Sequence, residues 1–169
     1  TRRARKVDSD DIGRLATELH DAGIGPLREA FATVGMQLLA PEDVGRFAKL
    51  GVAASVQFSH ATSDRDVADL YWAGKTDGAY AFRSLLDSGA VVANGSDAPI
   101  EELDPLAGIR AGVLRTIDER PAWHPEQALT VEQAFQTTCV TPAWLSYDEH
   151  RRGKLVPGYL ADLVVLDRD

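Results

Sequence analysis

Two stretches of this chain share one rhythm: a helix-like run, a glycine, a short apolar segment, then a polar loop. The first is closed by Gly51, continues as Val52-Ala53-Ala54-Ser55-Val56-Gln57 and leads into His60-Ala61-Thr62-Ser63-Asp64. The second is closed by Gly89, continues as Ala90-Val91-Val92-Ala93-Asn94 and ends on Gly95-Ser96-Asp97. Segments this short and this apolar need cover on both faces, as strands inside a parallel sheet do. Strands alternating with helices in this way predict an α/β fold, its parallel neighbours joined by crossover helices.

The flanking signals extend the pattern. Asp8-Ser9-Asp10-Asp11 caps a helix carried by Ile12, Leu15, Ala16 and Leu19 and stopped by Gly23. A short helix is expected across Pro26 to Val34, and Pro41-Glu42-Asp43 opens another that ends at Gly51. Helices are predicted from Arg65 to Trp72, around Tyr80, Phe82, Leu85 and Leu86, and past Asp104-Pro105. The last of these has Leu106, Ile109, Val113, Leu114 and Ile117 as its apolar stripe. Thr130-x-x-Gln133 reads as a capping box for a further helix. Beyond the turn-rich Gly153 to Gly158, Ala161 to Asp167 reads as a final strand, expected to lie against a sheet made elsewhere.

Composition narrows the function. With 169 residues, 44% of them hydrophobic, the chain can bury a real core. No apolar run approaches the roughly 20 residues that span a bilayer. A net charge of −8 argues against nucleic acid, and Arg2, Arg3, Arg5 and Lys6 are too few and too local to reverse that. The single Cys139 excludes a disulfide framework and makes a reduced, cytoplasmic setting the expectation. The chain starts at Thr1 with no signal-peptide core behind it, which fits a processed product or a piece of a longer chain.

Asp97 is the first candidate for chemistry. It stands just past a buried strand, where ligands bind in open α/β sheets and α/β barrels, and a carboxylate there can ligate a metal or accept a proton. The competing reading is a capping aspartate in a Ser-Asp-x-Pro turn. His60 holds the equivalent place after the earlier strand; alone, a loop histidine is more often a surface hydrogen-bonding group. Arg83 could face a substrate from its helix start, although solvated arginine is the plainer reading. His124 fits a structural role, His20 and His150 fit solvated positions, and Cys139 fits a buried small side chain. No His-x-His, His-Glu-x-x-His or Cys-x-x-Cys is present, so no self-sufficient zinc motif is visible.

Several segments, in order and at matching spacing, resemble the amidohydrolase superfamily, and within it the YtcJ-like, amidohydrolase-3 group. They include Ala53 with Ser55-Val56-Gln57-Phe58-Ser59-His60, and Ala79 to Ala90. Gly95-Ser96-Asp97-Ala98-Pro99 with Leu103-Asp104-Pro105-Leu106, and Trp123-His124-Pro125-Glu126-Gln127, fit too. So does the ending from Gly153-Lys154-Leu155 through Ala161-Asp162-Leu163-Val164-Val165-Leu166. The resemblance runs from about Gln37 to Asp169. It implies the C-terminal half of a TIM-type (β/α) barrel over residues 1–150, ending in a strand of a small β-sandwich over residues 151–169. It further implies a hydrolase of non-peptide carbon–nitrogen bonds in small amide-type molecules, dependent on a divalent metal, typically zinc, that lowers the pKa of its bound water. Asp97 matches the aspartate that ligates the metal and moves the proton, while His60 and Arg83 match positions near the substrate.

The departures are as specific. The family's His-x-His and its bridging lysine or acidic ligand are missing, and Gly35 stands where a ligand histidine is expected. The fifth barrel strand is expected to be deleted or scrambled around Gly25-Pro26-Leu27-Arg28-Glu29. A catalytic zinc takes three protein ligands, so the chain alone is expected to bind no metal and to be inactive. A non-catalytic α/β scaffold or interaction domain derived from the same fold is the alternative. An open half-barrel leaves strand edges unpaired, so a homo-oligomer or pairing with a missing N-terminal half is expected. Gel filtration of the dilute chain checks this, and a monomer counts against it.

Overall fold

The computed structural model describes the backbone of residues 31–32 and the whole of residues 38–167. Its centre is a parallel sheet in the order β1-β2-β3, with β1 at Phe31–Ala32, β2 at Ala53–Val56 and β3 at Val92–Asn94. Phe31 and Ala32 pair with Ala53 and Ala54, and Ala54, Ser55 and Val56 pair with Val92, Ala93 and Asn94. The helix expected across Pro26 to Val34 is therefore corrected at Phe31–Ala32, where pairing with β2 satisfies backbone groups that a short, marginal helix would hold poorly. The rest of that span, the capped helix upstream of it, Gly35 and His20 lie outside the described residues.

Helix α1, Pro41–Leu50, starts on a proline and ends at Gly51, whose φ of 66° takes the left-handed turn that glycine accommodates without strain. The loop after β2 holds one helical turn, α2 at His60–Ser63, followed by α3 at Arg65–Tyr71. The first of these stands where the sequence pattern predicts a polar loop. Helix α4, Phe82–Asp87, leads into β3, and α5, Pro105–Leu114, starts from Asp104, whose side chain accepts the Leu106 amide. Thr130 and Gln133 form the expected capping box at the start of α6, Val131–Phe135, which runs on through a π turn at Gln136–Val140 into α7, Thr141–Leu145. No helix among the described residues is long and apolar enough to cross a membrane.

Both faces of the sheet are covered, as the sequence pattern required. Ala54, Val56 and Val92 join Phe47, Phe58, Phe82, Leu85 and Trp123 in the main core, while Ala53 and Ala93 pack with Leu145 and Trp144. Burying each large side chain contributes about 1.5–3 kcal/mol. Helix α5 keeps part of its expected stripe: Ile109 is buried and Val113 packs against the core, whereas Leu106, Leu114 and Ile117 are exposed, and Gly108, Ala111 and Gly112 supply the rest of the buried face. A Cβ at Gly112 would lie 2.8 Å from Cδ2 of Phe58, so the missing side chain sets how near the helix comes.

One charge sits inside. Arg115 is 0% exposed and caps α5 in the left-handed region at φ 54°. Its Nε donates to the Trp123 carbonyl at 2.9 Å and its Nη1 to the Tyr80 carbonyl at 3.3 Å. Its guanidinium carbon lies 5.2 Å from the Phe82 ring centre and 5.9 Å from that of Trp123. Burial pushes its pKa down to about 10, opposed by Glu126 and Tyr80, so it stays charged at neutral pH. The aromatic faces and carbonyl dipoles replace part of its lost hydration.

Residues 161–167 form no strand; Val164 and Val165 are 72% and 84% exposed. The expected strand is apolar enough, but a strand exists only through its partner, and none of the described residues supplies one. Cys139, within the π turn, is exposed rather than buried, and its partly desolvated thiol has a raised pKa.

Two substitutions test this packing. Gly112→Ala should lower stability by about 1–2 kcal/mol in urea unfolding, the clash with Phe58 outweighing the better helix propensity. Arg115→Met should cost about 2–4 kcal/mol by stranding the buried Trp123 carbonyl and taking one of two donors from the Tyr80 carbonyl, which keeps the Phe82 amide, and Arg115→Lys should recover little, since an ammonium cannot fork between them.

Candidate functional site

The parallel register brings the ends of β2 and β3 side by side. Gly95 donates its amide to the Val56 carbonyl at 2.9 Å, carrying the ladder one residue past β3. Asn94 then closes the gap between the emerging loops. Its Oδ1 accepts the Phe58 amide at 2.9 Å and its Nδ2 donates to Thr138 Oγ1 at 3.2 Å. A side chain that serves as acceptor and donor at once is what two diverging backbones and a neighbouring helix require there.

From this tied base the two candidates converge. His60 opens α2 and is 8% exposed. Asp97 stands in the left-handed region at φ 56°, its carbonyl accepting the Ile100 amide at 2.8 Å, ahead of the cis Ala98-Pro99 bond. The His60 Nε2 lies 3.9 Å from Asp97 Oδ2 and 3.9 Å from Glu101 Oε1, and has no hydrogen-bond partner. Ser63, one helical turn beyond His60, donates its hydroxyl to Glu101 Oε1 at 2.6 Å. A cleft of about 220 Å³ opens beside these loops, lined by Ser59, Asn94, Ser96, Asp104 and Thr138 among others.

Arg83 is not part of this meeting point. Its Nε donates to both oxygens of Asp87, at 2.8 and 2.9 Å. That pairing draws it along α4 toward the start of β3, whereas Asp97 lies past the end of that strand. Glu101 is the residue the sequence reading missed. Its signal is three-dimensional, since it depends on Ser63, 38 residues away. His124 has the structural place expected of it, with φ 50°, Nδ1 3.0 Å from Glu126 Oε1 and its ring edge-on to Trp123. Tyr80 is buried and donates to Asp64 Oδ2 at 2.6 Å; burial and that carboxylate raise its pKa, so its proton stays on.

The donor chemistry at the strand ends, one imidazole nitrogen and two carboxylates, is of the type zinc accepts. Even so, no group of three His, Cys, Asp or Glu among the described residues is arranged to hold a metal ion. These residues alone therefore do not fit a resident catalytic metal. What they provide is an exposed carboxylate, Asp97, beside a buried imidazole.

YtcJ of Bacillus subtilis (strain 168), which carries an amidohydrolase name, is 35% identical over 137 residues, covering 79% of this chain and 26% of that protein. Protein LONG AFTER FAR-RED 3 of Arabidopsis thaliana is 36% identical over 133 residues, covering 77% of this chain and 23% of that one. The N-substituted formamide deformylase of Arthrobacter pascens is 32% identical over 87 residues, covering 52% and 16%. The chain thus spans about a quarter or less of the length of these relatives. A crystal structure of an uncharacterized metal-dependent hydrolase from Pyrococcus horikoshii OT3 shares the fold at TM-score 0.74 and 24% identity, over 95% of this chain and 32% of the other. One from Pyrococcus furiosus does so at TM-score 0.71 and 23% identity, with the same coverage. The model of the amidohydrolase family matches residues 12–169, and the chain belongs to that family.

Proposed function

We propose that this chain is the C-terminal part of a metal-dependent hydrolase that cleaves carbon–nitrogen bonds in small amide-type molecules, with Asp97 as its proton-transfer group. The observation that carries this reading is the convergence of Asp97 and His60 at adjoining strand ends, 3.9 Å apart. In such a reaction a water attacks the amide carbon. Asp97 takes the proton the water loses and returns it to the nitrogen as the carbon–nitrogen bond breaks, acting as base and then as acid. His60, buried beside it, holds a polar edge toward the substrate, and Arg83 contributes to binding only if it leaves Asp87. Residues 1–150 would form part of a barrel, and residues 151–169 would enter a small sandwich completed by other polypeptide. The bare aliphatic side chains from Leu163 to Leu166 support that assignment.

Because the described residues supply no three-donor set, no step is assigned to a metal here, and a divalent ion would need ligands from elsewhere. Activity is accordingly a property of the assembled protein, from pairing with an N-terminal half or with further copies, in the cytoplasm. The formamide-cleaving name of one relative supports the amide class of substrate.

The experiment is an N-acyl-amine hydrolysis assay, with zinc supplied, on the chain with and without an N-terminal half. Hydrolysis is expected only for the assembly, and Asp97→Asn should lower kcat by about 10²- to 10⁴-fold. An assembly that is active and indifferent to Asp97→Asn would overturn the reading.

A further inference from the structure

Asp97 sits on a loop whose own backbone does little to fix it. The Ile100 amide closes one turn onto the Asp97 carbonyl, and Ser96 Oγ accepts the Ala98 amide at a long 3.3 Å. The side chain of Asp97 is 53% exposed. Across from it, His60 is anchored on α2 by its own burial, but its Nε2 has no hydrogen bond. Something must hold loop and helix together if the two groups are to keep a constant separation, because an offset near 1 Å at a reacting centre is costly.

We propose that Ser63 and Glu101 form a latch that fixes Asp97 relative to His60, which makes Glu101 a positioning residue of the hydrolytic centre proposed above. The Glu101 carboxylate accepts the Ser63 hydroxyl at 2.6 Å, the short separation of a charge-assisted bond. Glu101 lies four residues past Asp97 on the loop, and Ser63 three residues past His60 on α2. One bond therefore ties the segment carrying the carboxylate to the segment carrying the imidazole. The same Oε1 atom stands 3.9 Å from His60 Nε2, facing that nitrogen together with Asp97 Oδ2. Two acceptor groups on one side of the ring favour the orientation in which its edge points at the loop. Glu101 touches no reacting atom in this scheme; it acts through the placement of the other two.

The functional meaning of the latch rests on the proposed hydrolytic reading, whereas its existence does not, and two measurements separate them. In the chain as it stands, amide hydrogen exchange at Ile100 should speed up about tenfold in Ser63→Ala and in Glu101→Ala, while exchange at Gly95, held by the β2 carbonyl, stays unchanged. Ser63→Thr, which keeps the hydroxyl, should restore the slow rate. Unaltered exchange at Ile100 in both alanine variants, or failure of Ser63→Thr to rescue, overturns the latch. In the assembled hydrolase, Ser63→Ala should lower kcat with KM kept, the signature of misplaced chemistry rather than lost binding; a change in KM alone overturns the positioning role. Hydrolysis absent altogether sinks the functional reading and leaves the latch to be decided by the exchange rates.

Discussion

The register between β2 and β3 is the constraint from which the rest follows. Parallel strands advance together, so pairing Val56 with Asn94 makes both chains leave the sheet at one level. A slip of one residue would send a strand's core-facing side chains, such as Val92, out of the main core and onto the face packed by Trp144 and Leu145, which is why the register is strongly held. The meeting of His60 with Asp97 is thus a by-product of core packing. Asn94 finishes the job with its side-chain amide, which holds Phe58 in the loop after β2 and Thr138 in the π turn where the ladder ends.

Arg115 serves a comparable purpose on the outer flank. Around it the chain takes left-handed conformations at Tyr80, Arg115 and His124, each unfavourable for a side-chain-bearing residue. Such turns persist when something over-determines them. Here a single buried cation donates to two of the local carbonyls, and the rings of Phe82 and Trp123 screen it from water. The same Trp123 sends its indole N–H to Asp69 on α3, so the helices on this side are joined through polar bonds embedded in apolar surroundings.

Much of this was legible in the sequence, and the exceptions share a cause. The two central strands, the proline start and glycine end of α1, the capping box at Thr130 and the placement of Asp97 and His60 at strand ends all follow from local pattern. Where the sequence misled, the deciding contact lay far away in the chain. The leucines of α5 read as its buried stripe until Phe58 claimed the glycine face. Phe31 reads as helical until β2 offers an edge. Residues 161–167 have the composition of a strand and lack, among the described residues, a neighbour to pair with. Glu101 carries no local signature because its meaning depends on a serine on another element.

The left-handed backbone at Asp97 has an evolutionary corollary. At φ 56° a β-branched or bulky residue is strained by about 1–2 kcal/mol, while glycine, asparagine and aspartate enter easily. The loop therefore filters its own mutations: aspartate combines tolerance of this backbone with a carboxylate that can move a proton. A lineage that abandoned catalysis would drift here most cheaply toward glycine and asparagine, so the shape of the rim would outlast its chemistry.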